Sequence, residues 1–218
     1  MSYESQTKNA YRNKIKAKDY QDQYIKGSKW ARFTMWRQKN ATSSLLNLCD
    51  LCESDIILDA PCGTGLIGEL LNNYSSSVIA ADISLEMIEL AQSEYEKNKF
   101  LGFIQADLTK APFLNDTFKC VIVLSLMHRL PAEIRKKVLS EVFRLSNHYA
   151  VISYSIENTT QKLKQKLLSK LNKSHIPAPS SIPYETILEE LDVVGFKVMN
   201  KINIAFFLSS KIVLLVKK

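Results

Sequence analysis

From Asp55 onward, short apolar runs alternate with helix-like patterns: IILDA, GLIGELLNNY, SVIAAD, LEMIELAQSEYEKN and FLGFIQAD. This alternation constrains the fold more than any other feature. Near-continuous apolar strands joined by amphipathic helices bury both only as a parallel sheet with helices packed against it. FKCVIVL (118–124) supplies a fourth strand, PAEIRKKVLSEVFRLS a helix opened by Pro131, and HYAVISYS a fifth strand. The expected core is a doubly wound α/β sheet with helices on both faces. Beyond it, YETILEELDVVG reads as a helix closed by Gly195, and FKVMNKINI and FFLSSKIVLLVKK as two strands with no helix between them. Such strands must pair antiparallel, because a parallel pairing needs a long crossover.

Residues 1–52 read as mostly helical and are expected to form a basic arm and cover, with residues 53–218 as the core. A basic amphipathic helical insertion is expected near 157–182, where Lys162, Lys164, Lys166, Lys170 and Lys173 face only Glu157. Residues 1–40 hold ten Lys or Arg against Glu4, Asp19 and Asp22, which is the whole formal excess of +7. Charge of this kind attracts phosphorylated or otherwise anionic ligands, or serves as a solvated helix face.

The N-terminal residues lack the apolar stretch of a signal peptide, and the run Cys120–Met127 is far shorter than the roughly 18 to 20 residues of a membrane span. A cytoplasmic protein is therefore expected. Cys49 and Cys52 form a CxxC without a second pair or a nearby histidine at zinc-finger spacing, so no metal site is expected.

The stretch ILDAPCGTG (57–65) runs from a strand into a glycine turn. A tight strand-to-helix turn presents backbone N–H groups, and glycine permits close approach of a ligand. Gly63 to Gly68 spells GxGxxG, and Asp82 ends the second strand where it suits a ribose hydroxyl pair, so a nicotinamide or flavin dinucleotide is one reading. Asp59 argues against it. A pyrophosphate beside that carboxylate would be repelled, whereas an ammonium or sulfonium would be attracted.

ILDAPCGTG, VIAADIS, FIQADL and FKCVIVLSLMHRL, in this order and spacing, resemble the successive motifs of class I S-adenosylmethionine-dependent methyltransferases over about residues 30–218. The resemblance implies a seven-stranded mixed sheet with its last strand antiparallel, and S-adenosyl-L-methionine as cofactor. It places Asp59, Gly63 and Gly65 around the methionine moiety, with Pro61 in the turn, and Asp82 on the ribose hydroxyls. It also implies Ile83 and Met87 over the adenine and Asp107 with Leu108 at its edge. One position departs from the family: Lys119 stands where many members carry an acid after the phenylalanine of the fourth strand.

Leu124 and Ser125 leave the fourth strand at its carboxyl end, where ligands of open α/β sheets bind. His128 follows in SLMHRLP and is a candidate general base, with a pocket-shaping role as the alternative. YIKGSKWARFTMW interleaves aromatic and basic residues, and in resembling enzymes this region covers the cofactor. Arg32 is a candidate partner of the cofactor carboxylate. The expected activity is methyl transfer to a small or amphiphilic acceptor, anionic ones included. Transfer to RNA or protein, and cofactor binding without turnover, remain the alternatives, and no RNA-binding module signature is present.

Overall fold

The computed structural model describes residues 13–95, 99–157, 181–205 and 209–218. Two helices come first, α1 (Lys14–Ile25) and α2 (Lys29–Leu46). Each starts where a side chain accepts otherwise unpaired N–H groups: Asn13 from Ile15 and Lys16, and Ser28 from Ala31. There follow β1 (Ile56–Asp59), α3 (Gly68–Leu71), β2 (Ser77–Asp82), α4 (Leu85–Ala91), β3 (Phe100–Gln105) and β4 (Phe118–Val123). A 3-10 turn at Met127–Arg129 leads into α5 (Ala132–Leu145), β5 (Ser146–Ser155), α6 (Tyr184–Val194), β6 (Lys197–Asn203) and β7 (Lys211–Lys217). The expected basic helix falls largely on 158–180, outside the described residues.

The seven strands form one sheet in the order β3-β2-β1-β4-β5-β7-β6. β1 to β5 run parallel, and β7 is antiparallel to both β5 and β6. The expected doubly wound, seven-stranded mixed sheet is the observed one. Gly195, at φ 97°, ends α6 and allows the chain to turn into the terminal hairpin.

Two apolar layers sandwich the sheet. On one face Val138, Leu139, Val142 and Leu145 of α5 and Ile187 and Leu191 of α6 pack on Leu58, Val121 and Ile152. On the other, Ala41, Leu45 and Leu46 of α2 join Leu71, Ile88 and Ala91 over Ile57, Ala80 and Ile122. The second N-terminal helix is thus a structural part of the sheet's cover. Each buried leucine or isoleucine contributes about 1.5–3 kcal/mol by leaving water.

The parallel strands all end on the same edge, and that edge positions the site. Asp59 and Asp82 are the last residues of β1 and β2, and Asp107 and Ser125 lie just beyond β3 and β4. Lys119 is the second residue of β4, and Asp59 pairs with Ile122 three positions later, so the family departure lies toward the opposite edge.

Candidate active site

A cavity with about 150 Å³ of water-accessible volume, part of it open to solvent, runs along the carboxyl edge. Asp59, Pro61, Gly63, Asp82, Ile83, Met87, Asp107, Leu108, Leu124 and Ser125 all border it, so the fold gathers most of the sequence candidates around one space. Tyr20 of α1 and Met35 and Gln38 of α2 roof it.

Asp82 ties two strand ends together. Its Oδ2 accepts the Gly63 N–H at 2.9 Å and its Oδ1 the Ser84 N–H at 2.9 Å. A carboxylate has about four acceptor positions, so each oxygen keeps capacity for a ligand hydroxyl. Burial raises the Asp82 pKa, while the N–H donors at Ser84, Gly63 and Ile83 hold it down. Ser84 itself caps α4 by accepting from Met87 N–H at 3.2 Å.

Asp59 is 1% exposed and accepts a hydrogen bond from the Tyr95 hydroxyl. Burial raises its pKa to about 7, against the opposing hydrogen bond from Tyr95 and with a further push from the charge of Asp82. Two buried carboxylates sharing one cavity resist ionisation unless a cation enters. Gly63 supports the same picture: at φ 54° it is left-handed, and a Cβ added there would meet nothing within 4 Å. Beside it, Thr64 is buried at the cavity border with a hydroxyl that has no hydrogen-bond partner among the described residues. Together these features fit a cationic nucleoside whose hydroxyl and amino groups approach the turn.

Asp107 bends the chain after β3, its Oδ1 accepting from the N–H and hydroxyl of Thr109 at 2.9 and 2.8 Å. Ser125 is held at φ 56°; its N–H donates to Ser153 Oγ at 2.7 Å and its Oγ accepts from Gln38 Nε2 at 3.3 Å.

Three candidates lie away from the cavity border. Gly65 does not border the cavity. A Cβ there would come within 2.8 Å of the Glu94 side chain and 3.1 Å of Ala91 Cα, so this glycine permits the turn to pack against the end of α4. Arg32 faces an outer groove with Lys29, Phe33, Trp36 and Lys39. The inward face of α2 runs through Thr34, Met35, Gln38, Ala41 and Thr42, and Arg32 stands about 100° around the helix from Ala31. His128 is 3% exposed and does not border the cavity either. Burial, followed by the charge of Lys211, lowers its pKa to about 4.

Sequence reasoning missed Tyr20, Gln38, Thr64, Tyr95 and Arg129. Tyr95 reaches Asp59 across 36 positions, which no local spacing signals. Thr64 was legible as the residue inside the glycine turn.

Residues 57–148 match the family model of a methyltransferase domain. A malonyl-[acyl-carrier protein] O-methyltransferase from Hamiltonella defensa subsp. Acyrthosiphon pisum is 28% identical over 118 residues, which are 54% of this chain and 44% of that protein. The chain thus spans less than half the length of that relative. Magnesium protoporphyrin IX methyltransferase from Synechocystis PCC 6803, solved with bound S-adenosylhomocysteine, superposes with a TM-score of 0.81 at 17% identity, covering 99% of each chain. Human N-acetylserotonin methyltransferase, solved with S-adenosylmethionine, gives 0.70 at 14% identity, covering 100% of this chain and 60% of that one. At these identities the likeness to solved structures establishes the fold. Residues 57–148, from β1 to the start of β5, thus carry a methyltransferase domain, set in a fold shared with solved S-adenosylmethionine-dependent methyltransferases and with its acids at the ligand edge of the sheet.

Proposed function

We propose that this enzyme binds S-adenosylmethionine along the edge from Asp59 to Asp107 and transfers its methyl group to a small or amphiphilic acceptor lodged under Tyr20, Met35 and Gln38. The observation that carries this reading is the pair of buried carboxylates, Asp59 and Asp82, at a glycine turn open to the cavity. The cofactor supplies an electrophilic methyl group on a sulfonium when bound.

The roles follow from chemistry and position. Asp59 holds the cationic methionine end, with the Gly63 backbone beside it. Asp82 accepts from the ribose hydroxyls with the lone pairs its backbone N–H partners leave free. Ile83 and Met87 provide the apolar surface for the adenine, and Asp107 and Leu108 border its edge. Leu124 and Ser125 stand where cofactor and acceptor regions meet.

Among the described residues bordering the cavity, the titratable ones are Tyr20, Asp59, Cys62, Asp82, Asp107 and Arg129, with no histidine or lysine. Burial pushes the Tyr20 phenol and the Cys62 thiol upward, so neither is a ready base at neutral pH. Alignment then supplies most of the catalysis, a contribution of up to about 7–11 kcal/mol for a well-oriented pair. Amphiphilic acceptors suit a cavity whose roof presents Met35 and whose far wall presents Phe113 and Val138.

Calorimetric titration with S-adenosylhomocysteine and with NAD tests the cofactor assignment. Binding of the former alone is expected, and it should be lost in Asp82→Ala. Tight NAD binding, or unaltered S-adenosylhomocysteine affinity in Asp82→Ala, would overturn it.

A further inference from the structure

We infer that the acceptor carries an acidic head group, a carboxylate or a phosphate monoester, bound at a cationic corner formed by Arg129 with Lys211 behind it. This rests on the methyltransferase reading of the same cavity.

The corner is a product of the sheet topology. Because β7 runs antiparallel, its first residue, Lys211, pairs with Ser155 at the carboxyl end of β5, on the ligand edge. The chain leaving β4 arrives at the same place through Ser125, whose N–H donates to Ser153, and turns at Met127–Arg129. Two segments distant in sequence therefore bring His128, Arg129 and Lys211 together.

Two tyrosines of α1 cap the group. The Arg129 guanidinium lies 5.7 Å from the Tyr20 ring centroid and the Lys211 ammonium 6.0 Å from that of Tyr24. The two rings meet edge-on at 5.2 Å. Both Arg129 and Tyr20 border the cavity. The turn is firmly held: Arg129 N–H donates to Leu126 O at 2.8 Å, and the next carbonyl, Leu130 O, accepts from Arg135.

The charges explain what this corner recognises. Burial lowers the Arg129 pKa; burial and the Arg129 charge lower that of Lys211; burial and the Lys211 charge lower that of His128. The Lys211 charge is thus disfavoured by Arg129 and protonation of His128 by Lys211, so an anion at Arg129 offsets the positive charge gathered at the corner. On the cofactor side stand Asp59 and Asp82, and Tyr20 lies between, hydrogen-bonded with Ser125 and raised in pKa partly by the charge of Asp82. The cavity is therefore dipolar, with carboxylates for a sulfonium and a guanidinium for an acid.

The test uses the full chain saturated with S-adenosylhomocysteine and titrated with octanoate, octyl phosphate, octanol and octylamine. One or both anions should bind at least about tenfold tighter than octanol, and the preference between them identifies the head group. Arg129→Gln and Lys211→Met should each weaken anion binding by about tenfold, with Arg129→Lys and Lys211→Arg recovering most of it and S-adenosylhomocysteine affinity unchanged throughout. In wild type the anion should also raise the apparent pKa of His128 read by NMR, which a merely structural corner would not do. Equal binding of octanol and both anions, or an intact preference in Arg129→Gln, overturns the inference. Should S-adenosylhomocysteine itself fail to bind, the methyltransferase reading falls, while the same titrations without it still judge the corner.

Discussion

The Tyr95 hydroxyl donates a 2.5 Å hydrogen bond to Asp59 in the buried interior, fixing one oxygen of the acid that ends β1. This bond favours the ionised form, while burial disfavours it more strongly, and the balance leaves a pKa of about 7. A cationic ligand requires the ionised form. S-adenosylhomocysteine affinity should therefore rise roughly tenfold between about pH 6 and 8, and calorimetry should find this dependence absent in Asp59→Asn. Tyr95→Phe should move the midpoint above 7. Without ligand the sign reverses: a folded pKa above the ordinary 3.8 means the folded state binds the proton more tightly, so the contribution of Asp59 to stability is lost as pH rises from about 4 to 7.

Gly63 and Gly65 should separate in their effects. Alanine at either meets a positive φ, a cost of about 1–2 kcal/mol. At Gly65 the overlap with Glu94 and Ala91 adds about 1–3 kcal/mol, so Gly65→Ala should lower the urea midpoint more. At Gly63 the new methyl group points into open space, and Gly63→Ala should chiefly lose S-adenosylhomocysteine binding. Equal urea midpoints for the two variants would contradict this division.

Arg135 of α5 and Glu190 of α6, 7% and 6% exposed, form a two-point ion pair at 2.7 and 2.5 Å. Arg135 also donates to Leu130 O, so the pair braces the chain that carries Arg129. Glu190→Ala leaves a guanidinium buried without its carboxylate and should cost about 3–5 kcal/mol in denaturant unfolding. The double variant Arg135→Met with Glu190→Leu should recover most of that loss. A double variant as unstable as the single one would show that the pair is needed for more than mutual neutralisation.

His128 is expected to act on stability. Its folded pKa of about 4 lies below the ordinary 6.5, so the unfolded chain binds more protons in between and stability falls as pH drops through that window. His128→Leu should lose less thermal stability than wild type between pH 7 and about 5, and the pH profile of methyl transfer should keep its shape. Loss of the acid limb of that profile in His128→Leu would restore His128 to the chemistry.

Local pattern carried the parallel core, the antiparallel terminal hairpin and the acid-glycine edge. Alternation of period two and period 3.6 reports which residues are buried together, and strands without a crossover have one way to pair. The sequence by itself therefore determined the sheet and the positions of Asp59, Gly63 and Asp82 along its edge. Only the tertiary structure decided that Tyr95 answers Asp59, that Gly65 serves packing, that Arg32 turns outward and that His128 lies behind Arg129 beside Lys211. Those outcomes depend on helix rotation and on contacts between segments far apart in the chain, which spacing along one strand or helix does not encode.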